Sequence, residues 1–236
     1  MEKEIQFIPD RNTFLNFLYL RLESVGIMIE PSFKDTRYKL LCLDELFEII
    51  KLRFSLIKNR YFTDKENIYI RTGHYCQFLI IIYELSRILH LRREETHLFD
   101  INTVVEKLFF LNVLNTSCDI FYSTNLPDKF FPVHPFGTVI GPRTKFSKDS
   151  SLIVYNNCNL GRNSDDVHPV INGELIMLPN TSIIGDCTVS GKVILSNGCY
   201  VYNIGELRDV IVFGSYPNNI IKPINSDTWG KWYEFN

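Results

Sequence analysis

A six-residue repeat in the second half of the chain restricts the fold more than any other feature of the sequence. Large aliphatic residues recur at one phase, at Ile171, Met177, Ile183, Val189, Leu195 and Val201. Four residues further along each hexad stand small or medium side chains, at Leu175, Thr181, Cys187, Val193 and Cys199. Most positions between these two columns are turn formers. The segment therefore predicts a periodic structure with a turn in every hexad.

Each hexad is long enough for one short strand and one turn, so three hexads predict one coil of a triangular solenoid. The first-column side chain points inward and stacks on the next coil, while the smaller fifth-column side chain fills a corner. Such coils bury a core only by stacking on their neighbours. In a β-sandwich, apolar and polar residues would instead alternate with period two, and turns would recur about every 8 to 12 residues. The hexads therefore favour a parallel β-helix.

Earlier rows keep the same phase but are interrupted twice. Ile140-Gly141 and Leu160-Gly161 begin or continue rows of this type. The stretch from 146 to 153 is two residues too long for the repeat, which predicts a bulged corner. Residues 162–167 are polar and carry no repeat, so they predict a loop that leaves the coil between two rows. Loops on a rigid scaffold are frequent sites of function.

The first half of the chain obeys a helical period. Apolar residues recur at spacings of three and four from about residue 13 to 115, which predicts four to five amphipathic helices. Gly26 and Gly73, the two glycines before residue 117, stand between helical runs. Candidate N-caps are Asn12 or Thr13, Asp44, and Asp100 to Asn102. We predict an α+β chain with a helical domain over 1–116, a β-helix over 117–222 and a tail over 223–236.

Composition and charge exclude several classes of protein. The formal net charge of -2 gives no support for nucleic-acid binding. The six cysteines show no Cys-x-x-Cys spacing, which argues against a zinc ribbon and a thioredoxin motif. The apolar run Phe78 to Tyr83 is stopped by Glu84 and predicts a buried helix rather than a membrane span. No signal-peptide pattern opens the sequence, so we expect a cytoplasmic protein without a transmembrane segment.

Two of the five histidines stand out. His74, His90 and His97 lie on or near predicted helices, where surface or structural roles are expected. His134 and His168 each precede a proline, at points where regular rows meet irregular segments. Because a residue before proline favours extended backbone, we expect both imidazoles to be held on extended chain.

The order of these features resembles serine acetyltransferases and their relatives, which are hexapeptide-repeat enzymes with a helical N-terminal domain. Fourteen positions separate Asp119 of an Asp-Ile pair from His134. The pattern then continues in the family's order through Gly137, Ile140-Gly141, Leu160-Gly161, His168-Pro169 and the hexads from Ile171. The resemblance covers about residues 70 to 222, and the ordered set is more specific than any of its members. It implies a left-handed parallel β-helix and acetyl-CoA as cosubstrate.

The resemblance also implies roles for individual residues. His134 matches the catalytic histidine, Asp119 its dyad partner, and His168 a second histidine that contacts the acceptor. Positions along the acetyl-CoA groove are matched by Gly161, Pro179, Asn197, Tyr216, Pro217 and Lys222. Asp64 is a candidate for an acidic contact from the helical domain. The oligomeric state of the family implies a homotrimer or a dimer of trimers.

Other interpretations stay open on the residues alone. Asp119 fits a cap or turn residue, and His168 fits a residue that anchors a loop. A zinc site formed by His134 and His168 lacks supporting cysteine or acidic ligands at metal-binding spacing, so no metal is expected. Aromatic residues near the dyad fit either a sugar site or core filling, and these are Tyr122, Phe130, Phe131 and Phe136.

The sequence departs from true serine acetyltransferases around the acceptor. Val167 stands where the family has an arginine that holds the serine carboxylate, and such a bidentate contact is hard to replace. The loop 162–167 is shorter than the family's glycine-rich loop. Serine acetyltransferases that dock on cysteine synthase end in isoleucine, whereas this sequence ends in Asn236. These differences favour a hydroxyl on a surface-polysaccharide sugar, such as a capsule or lipopolysaccharide unit, as acceptor. The alternatives are serine O-acetylation in cysteine biosynthesis and a non-catalytic scaffold.

Overall fold

The computed structural model describes residues 3–27, 42–93 and 101–236. Its backbone divides into a first unit, which extends to Thr116 and includes Asn236, and a second unit, Ser117–Phe235. The first unit is mainly helical and the second is a stack of short parallel strands. The α+β fold class predicted from the two periods is thereby confirmed.

Four helices form the described part of the first unit. They are α1 (Arg11–Ser24), α2 (Leu43–Leu56), α3 (Tyr75–Leu91) and α4 (Ile101–Thr116). Helix α3 forms the centre of the core, since every residue from Phe78 to Tyr83 is 5% exposed or less. This run is the buried helix that its length and flanking charges predict.

The helix starts differ from two of the predicted caps. Helix α1 begins after Asp10, whose carboxylate accepts a hydrogen bond of 2.9 Å from the backbone N–H of Thr13. Helix α2 begins at Leu43, so Asp44 lies in its first turn and not at the cap. Apolar spacing locates a helix but not its terminal residue, because several polar residues near each start can accept the first N–H groups. Asp100 lies outside the described residues, and Asn102 is the second residue of α4.

A pair of parallel strands completes the first unit, and the helical period did not predict it. Strand β1 (Glu4–Ile8) pairs with β2 (Asn67–Arg71) in register from Glu4↔Asn67 to Ile8↔Arg71. The buried side chain of Gln77 on α3 fastens β2, because its amide nitrogen donates to the carbonyl oxygens of Tyr61 and Tyr69 at 2.8 and 3.0 Å. Partners about sixty residues apart leave no local pattern in a sequence.

The second unit is a β-solenoid of about five coils between residues 119 and 212. Its strands form three faces that recur in the same order along the chain. Face 1 consists of β3 (Asp119–Ile120), β5 (Val139–Ile140), β8 (Asn159–Gly161), β11 (Ser182–Ile184) and β13 (Tyr200–Tyr202). Face 2 consists of β6 (Lys145–Phe146), β9 (Val170–Ile171) and the first halves of β12 (Cys187–Leu195) and β14 (Gly205–Phe213). Face 3 consists of β4 (Lys129–Pro132), β7 (Ser151–Val154), β10 (Glu174–Met177) and the second halves of β12 and β14.

The strand register confirms three hexads per coil. Glu174 pairs with Lys192 and Ser182 pairs with Tyr200, so equivalent positions lie 18 residues apart. All six residues of the predicted first column are 0% exposed, and the fifth-column residues are at most 1% exposed. The hydrophobic effect therefore acts on the same stack of aliphatic side chains in every coil.

Both predicted interruptions of the repeat have a structural counterpart. Four residues, 147–150, join β6 to β7, whereas two residues join β9 to β10 in the next coil. Eight residues, 162–169, join β8 to β9, whereas two residues join β11 to β12. The extra residues lie at corners, where they do not disturb the stacked strands.

The chain closes the solenoid by folding back on it. Strand β15 (Ile220–Pro223) pairs antiparallel with β14, and helix α5 (Ser226–Trp232) follows. Trp229 of α5 is 6% exposed and has the ammonium group of Lys192 on face 3 at 5.6 Å from its ring centroid. Trp232 meets Tyr155 edge to face at 6.2 Å. The C-terminal segment therefore packs on face 3 of its own solenoid.

Candidate active site

His134 lies in an enlarged corner between face 3 and face 1. Six residues join β4 to β5, whereas four residues join β7 to β8 and β10 to β11. The backbone of His134 is left-handed, with a φ of 48°, and its carbonyl oxygen accepts from the N–H of Phe136 at 3.0 Å. The expected extended backbone at His134 is therefore wrong, because the two added residues must turn tightly to rejoin the corner.

Asp119 lies directly beneath this corner in the preceding coil. It is the first residue of β3, is exposed, and pairs with Val139. Its backbone N–H donates to the carbonyl oxygen of Thr138 at 2.9 Å, and Gly137 bonds likewise to Ser117. Within the described residues no hydrogen bond or ion pair joins the Asp119 carboxylate to the His134 imidazole, so the dyad stays a prediction.

One outward-facing column of residues runs along face 1, and in the first coils it consists of glycines. Gly141 and Gly161 are equivalent positions, and the register continues through Ile184 to Tyr202. A Cβ atom at Gly161 would lie 2.9 Å from the terminal carbon of Ile184, and one at Gly141 would lie 3.5 Å from Nδ1 of His168. We call these four residues the glycine column. At its two glycines the strands present bare backbone, against which Ile184 and His168 pack.

The predicted cofactor residues lie on several parts of the solenoid, and two of them share one edge. Pro179 and Asn197 occupy equivalent corner positions between face 3 and face 1. Tyr216 follows Ser215, which bridges to Tyr200 at the end of face 1, and the ring of Tyr216 lies 5.4 Å from that of Tyr202. Successive strands are roughly 4.8 Å apart, so Pro179 and Asn197 form a line across two adjacent coils.

Lys222 lies away from this line. It stands on β15 opposite Ile211 of β14, on face 3, and its ammonium group is 5.8 Å from the ring centroid of Phe213. The structure thus places Pro179 and Asn197 on the edge between face 3 and face 1, Gly161 at the far end of a face 1 strand, Tyr216 next to the last face 1 strand and Lys222 on another face.

His168 closes the loop 162–169 on the opposite edge of face 1. Its side chain is 9% exposed, and neither ring nitrogen has a hydrogen-bond partner. Burial lowers the pKa of His168, the charge of Arg143 lowers it further, and Asp166 acts in the opposite direction. The imidazole is therefore held in its neutral form near pH 7.

Three residues that sequence reasoning did not single out build this loop. Asn163 is 7% exposed, and its side-chain oxygen accepts the N–H groups of Asp165 and Val167 at 3.0 Å each. Asp166 receives a bidentate contact from Arg143, whose second nitrogen lies 2.8 Å from Oδ1. The available signal was a short polar loop rich in Asn and Asp, which favours side-chain to backbone hydrogen bonds. The partner Arg143 was not detectable, since it comes from the preceding coil.

The remaining candidate side chains divide into two groups. Phe130 and Phe131 are 1% and 4% exposed, so they fill the core, whereas Phe136 is 43% exposed beside His134. His74 caps α3 by accepting from the N–H of Gln77 at 3.4 Å, and His90 lies in the last turn of the same helix. These two histidines have the structural positions expected of them, and His97 lies outside the described residues.

A cavity of about 930 Å³ lies in the first unit, and Asp64 is among its lining residues. The Asp64 carboxylate accepts hydrogen bonds from the Tyr69 hydroxyl at 2.5 Å and from the N–H groups of Glu66 and Asn67 at 2.8 and 2.7 Å. The Tyr69 bond is the main reason that the pKa of Asp64 falls to about 2. Asp64 thus stabilises the turn before β2, and its suggested contact with an acceptor stays a prediction.

The described residues contain neither a metal-binding cluster nor a membrane-spanning helix. No group of three or more His, Cys, Asp or Glu side chains in residues 3–27, 42–93 and 101–236 is arranged to hold a metal ion. In the same ranges no helix has the length and apolar character to cross a bilayer.

Comparison with known proteins shows a likeness in structure but not in sequence. Serine acetyltransferase from Neisseria gonorrhoeae superposes with a TM-score of 0.63 at 14% identity, over 95% of this chain and 85% of that one. The shared element is the fold. A serine O-acetyltransferase from Brucella melitensis, described as a hexapeptide-repeat transferase, gives 0.60 at 16% identity over 89% and 84%. The Brucella abortus enzyme in complex with coenzyme A gives 0.62 at 15% over 89% and 82%.

No protein-family profile matches the sequence, and no curated protein matches it either. The identities of 13–16% therefore support the architecture, a helical unit followed by a hexapeptide-repeat solenoid. They leave the reaction to be argued from the residues of this chain.

Proposed function

We propose that the protein is an acyltransferase that moves an acetyl group from acetyl-CoA to a hydroxyl of a surface-polysaccharide sugar. The observation that carries the proposal is the enlarged corner of His134, which is stacked on the strand of Asp119 and lies on the same edge of the solenoid as Pro179 and Asn197. The other corners compared with it lack this insertion. A tight, left-handed turn at an exposed histidine is a costly backbone state that the fold maintains at a position suited to chemistry.

His134 acts in this proposal as the general base. An alcohol is a poor nucleophile at neutral pH, and a positioned imidazole takes its proton as the oxygen attacks the thioester carbon. The carbon–oxygen bond forms, the carbon–sulfur bond breaks, and the proton passes from the imidazolium to the thiolate of CoA. Asp119 holds the other ring nitrogen and stabilises the imidazolium. A backbone N–H near Gly161 is the candidate donor to the thioester oxygen.

The residues present suit acetyl-CoA as the acyl donor. Gly141 and Gly161 present bare backbone to which a thin pantetheine arm can bind, and a side chain at Gly161 would not fit, since its Cβ atom would meet Ile184 at 2.9 Å. Pro179 and Asn197 lie on the other edge of face 1, above the corner of His134, and continue that edge along the solenoid. Tyr200, Tyr202 and Tyr216 form an aromatic cluster at its end, with ring centroids 6.4 and 5.4 Å apart, which offers a surface for a planar base.

The proposal of a carbohydrate acceptor is based on the residue that replaces the serine-binding arginine. Val167 occupies that position and is 39% exposed, so it provides an apolar contact and no carboxylate fork. Phe136 stands exposed beside His134, and an aromatic face of this kind packs well on a sugar ring. Serine O-acetylation is the second candidate, since it is the activity that the superposed enzymes are named for. We further propose a cytoplasmic homotrimer.

A thiol-release assay with acetyl-CoA tests the proposal. The wild-type protein is compared with His134→Ala and Asp119→Asn, and the acceptors are capsular or lipopolysaccharide oligosaccharides and, separately, free serine. We expect release of CoA with an oligosaccharide, a loss of about 10²- to 10⁴-fold in His134→Ala, and unchanged folding. Turnover with serine alone would select the second candidate. Equal, acceptor-independent rates for wild type and His134→Ala would leave only a non-catalytic scaffold.

A further inference from the structure

The loop between β8 and β9 is built as a rigid support and not as a flexible connection. Asn163 holds the loop from inside through its two accepted hydrogen bonds, and its own amide donates to the side-chain oxygen of Asn203 at 3.0 Å. Asp166 is left-handed, with a φ of 62°. Aspartate tolerates this conformation better than most residues, and the tight turn places its carboxylate on the side of the loop where His168 lies.

The Asp166 carboxylate is fixed by a residue from the preceding coil. Nη1 of Arg143 donates to Oδ2 of Asp166, and Nη2 donates to Oδ1. These two parallel contacts fix the plane of the carboxylate as well as its position. Arg162 makes a single, longer contact of 3.3 Å with Oδ1. The two arginine side chains are similarly exposed, at 60% and 58%, so they differ in geometry and not in environment.

His168 lies between this carboxylate and the glycine column. Its Nε2 atom is 3.7 Å from Oδ1 of Asp166. On the other side of the ring, Nδ1 lies 3.5 Å from the point where a Cβ atom at Gly141 would stand, and the carbonyl oxygen of Leu160 lies 3.1 Å from that point. A nine-tenths buried imidazole with no hydrogen bond on either nitrogen is costly unless a partner arrives during function.

We propose that Arg143 and Asp166 are positioning residues that orient His168, with Nε2 toward the Asp166 carboxylate and Nδ1 toward the bare backbone at Gly141, so that the ring meets the acceptor in one fixed orientation. The inference rests on the proposed function and adds two residues to its site. A carboxylate beside one ring nitrogen selects the tautomer with the proton on that nitrogen. Nδ1 then carries a lone pair and accepts a hydrogen bond from a hydroxyl on the acceptor.

The charges around the ring agree with this arrangement. Burial and the two guanidinium groups, Arg143 and Arg162, lower the pKa of His168, while Asp166 raises it. A neutral ring keeps the Nδ1 lone pair available at pH 7. Removal of the Asp166 charge therefore lowers the pKa of His168 further, whereas an aspartate that does not face the ring would leave that pKa unchanged once folding is intact.

Asp166→Asn is the central variant, because asparagine keeps the size of the side chain and also tolerates the left-handed backbone. We expect NMR titration of the imidazole in the full-length protein to show a lower pKa for His168. In steady-state assays we expect kcat/KM for the acceptor to fall about tenfold or more, since misplaced catalytic contacts cost up to about 10²-fold. The KM for acetyl-CoA stays at its wild-type value.

Two arginine variants separate orientation from charge. Arg143→Lys keeps the charge but loses the bidentate grip, and we expect it to lower acceptor kcat/KM as Asp166→Asn does. Arg162→Gln is the matched control at the same carboxylate, and we expect near wild-type kinetics. Equal losses in both arginine variants, or an unshifted His168 pKa in Asp166→Asn, would overturn the inference. If wild type shows no acceptor-dependent release of CoA, the proposed function is wrong. The NMR titration does not depend on activity, so it still tests the contact of Arg143, Asp166 and His168 in that case.

Discussion

Single residues set the geometry of the corner that carries His134. Equivalent positions in successive coils adopt left-handed backbone, at Ser117, Gly137, Asn157, Asn180 and Gly198, with φ values of 53°, 75°, 53°, 61° and 71°. Glycine and asparagine are the residues that accept this conformation at least cost. The corner column therefore depends on residue type and not on hydrophobicity.

Gly137→Ala tests this dependence beside His134. A Cβ atom at Gly137 would lie 2.3 Å from the side-chain oxygen of Asn157, so the side chain of Asn157 must move in addition to the left-handed strain. We expect a loss of about 1–2 kcal/mol from the backbone alone and a further loss from the clash, measured by urea unfolding. Gly198→Ala is the control, since its φ of 71° is similar but no atom lies within 4 Å of the added Cβ. Equal losses in both variants would contradict the steric account.

His168 makes stability depend on pH. Its pKa is lowered in the folded protein, so the unfolded chain binds the proton more tightly, and stability rises with pH through the interval below the ordinary histidine value. The contribution is fully present above about pH 6.5 and is lost as the pH falls through the lowered value. We expect the urea midpoint of wild type to decline more steeply on acidification than that of His168→Gln. Parallel profiles for the two proteins would show that His168 titrates normally.

At the scale of elements, the solenoid is held by its inward columns. Its strands are two to nine residues long, so each contributes few hydrogen bonds of its own and gains stability from the coil above and below. Strand β15 pairs with the last coil, so the final edge of face 3 is not left as an open row of backbone groups.

Ile183→Ala measures how much one inward-facing side chain contributes to the free energy of unfolding. Ile183 is 0% exposed, and its truncation leaves a cavity between coils, for which we expect a loss of about 2–5 kcal/mol in unfolding free energy. Ile220→Ala is the matched control on β15, because Ile220 is 57% exposed and the same change there should fall within about 0.5 kcal/mol. Comparable losses at both positions would show that burial does not decide the effect.

At the scale of the whole molecule, the two units have separate cores. The first is centred on α3 and includes a buried ion pair, with Nε of Arg53 at 2.6 Å from a Glu84 oxygen. The second is the aliphatic stack of the hexads. Unfolding of such a chain need not follow a single transition, so each variant is best assessed in the full-length protein with probes for both units.

The predicted homotrimer is a property of the whole molecule. Flat faces of an open solenoid provide the surfaces for such assembly, and face 1 carries exposed apolar side chains at Val139 and Tyr200, which are 38% and 37% exposed. We expect native mass spectrometry and light scattering to give three or six times the chain mass of 27.6 kDa. A monomer at micromolar concentration would contradict the prediction.

The sequence alone determined the elements whose causes are local and periodic. Helical spacing located the helices before residue 117, and the hexads determined the solenoid, its inward columns and both interruptions, because one phase of side chains must face the core in every coil. The candidate catalytic residues Asp119, His134 and His168 came from the resemblance to serine acetyltransferases and stay a prediction. The helical spacing and the hexads repeat within a few residues, so no partner elsewhere in the chain is needed to read them.

Only the tertiary structure decided the features that depend on distant partners. The pairing of β1 with β2, the left-handed turn at His134 and the contact of Arg143 with Asp166 each join segments from about twenty to more than sixty residues apart, or arise where an inserted corner must close. No periodicity encodes such contacts. Their geometry follows from the stacking of coils and helices, which is why the acceptor side of the site became visible only in three dimensions.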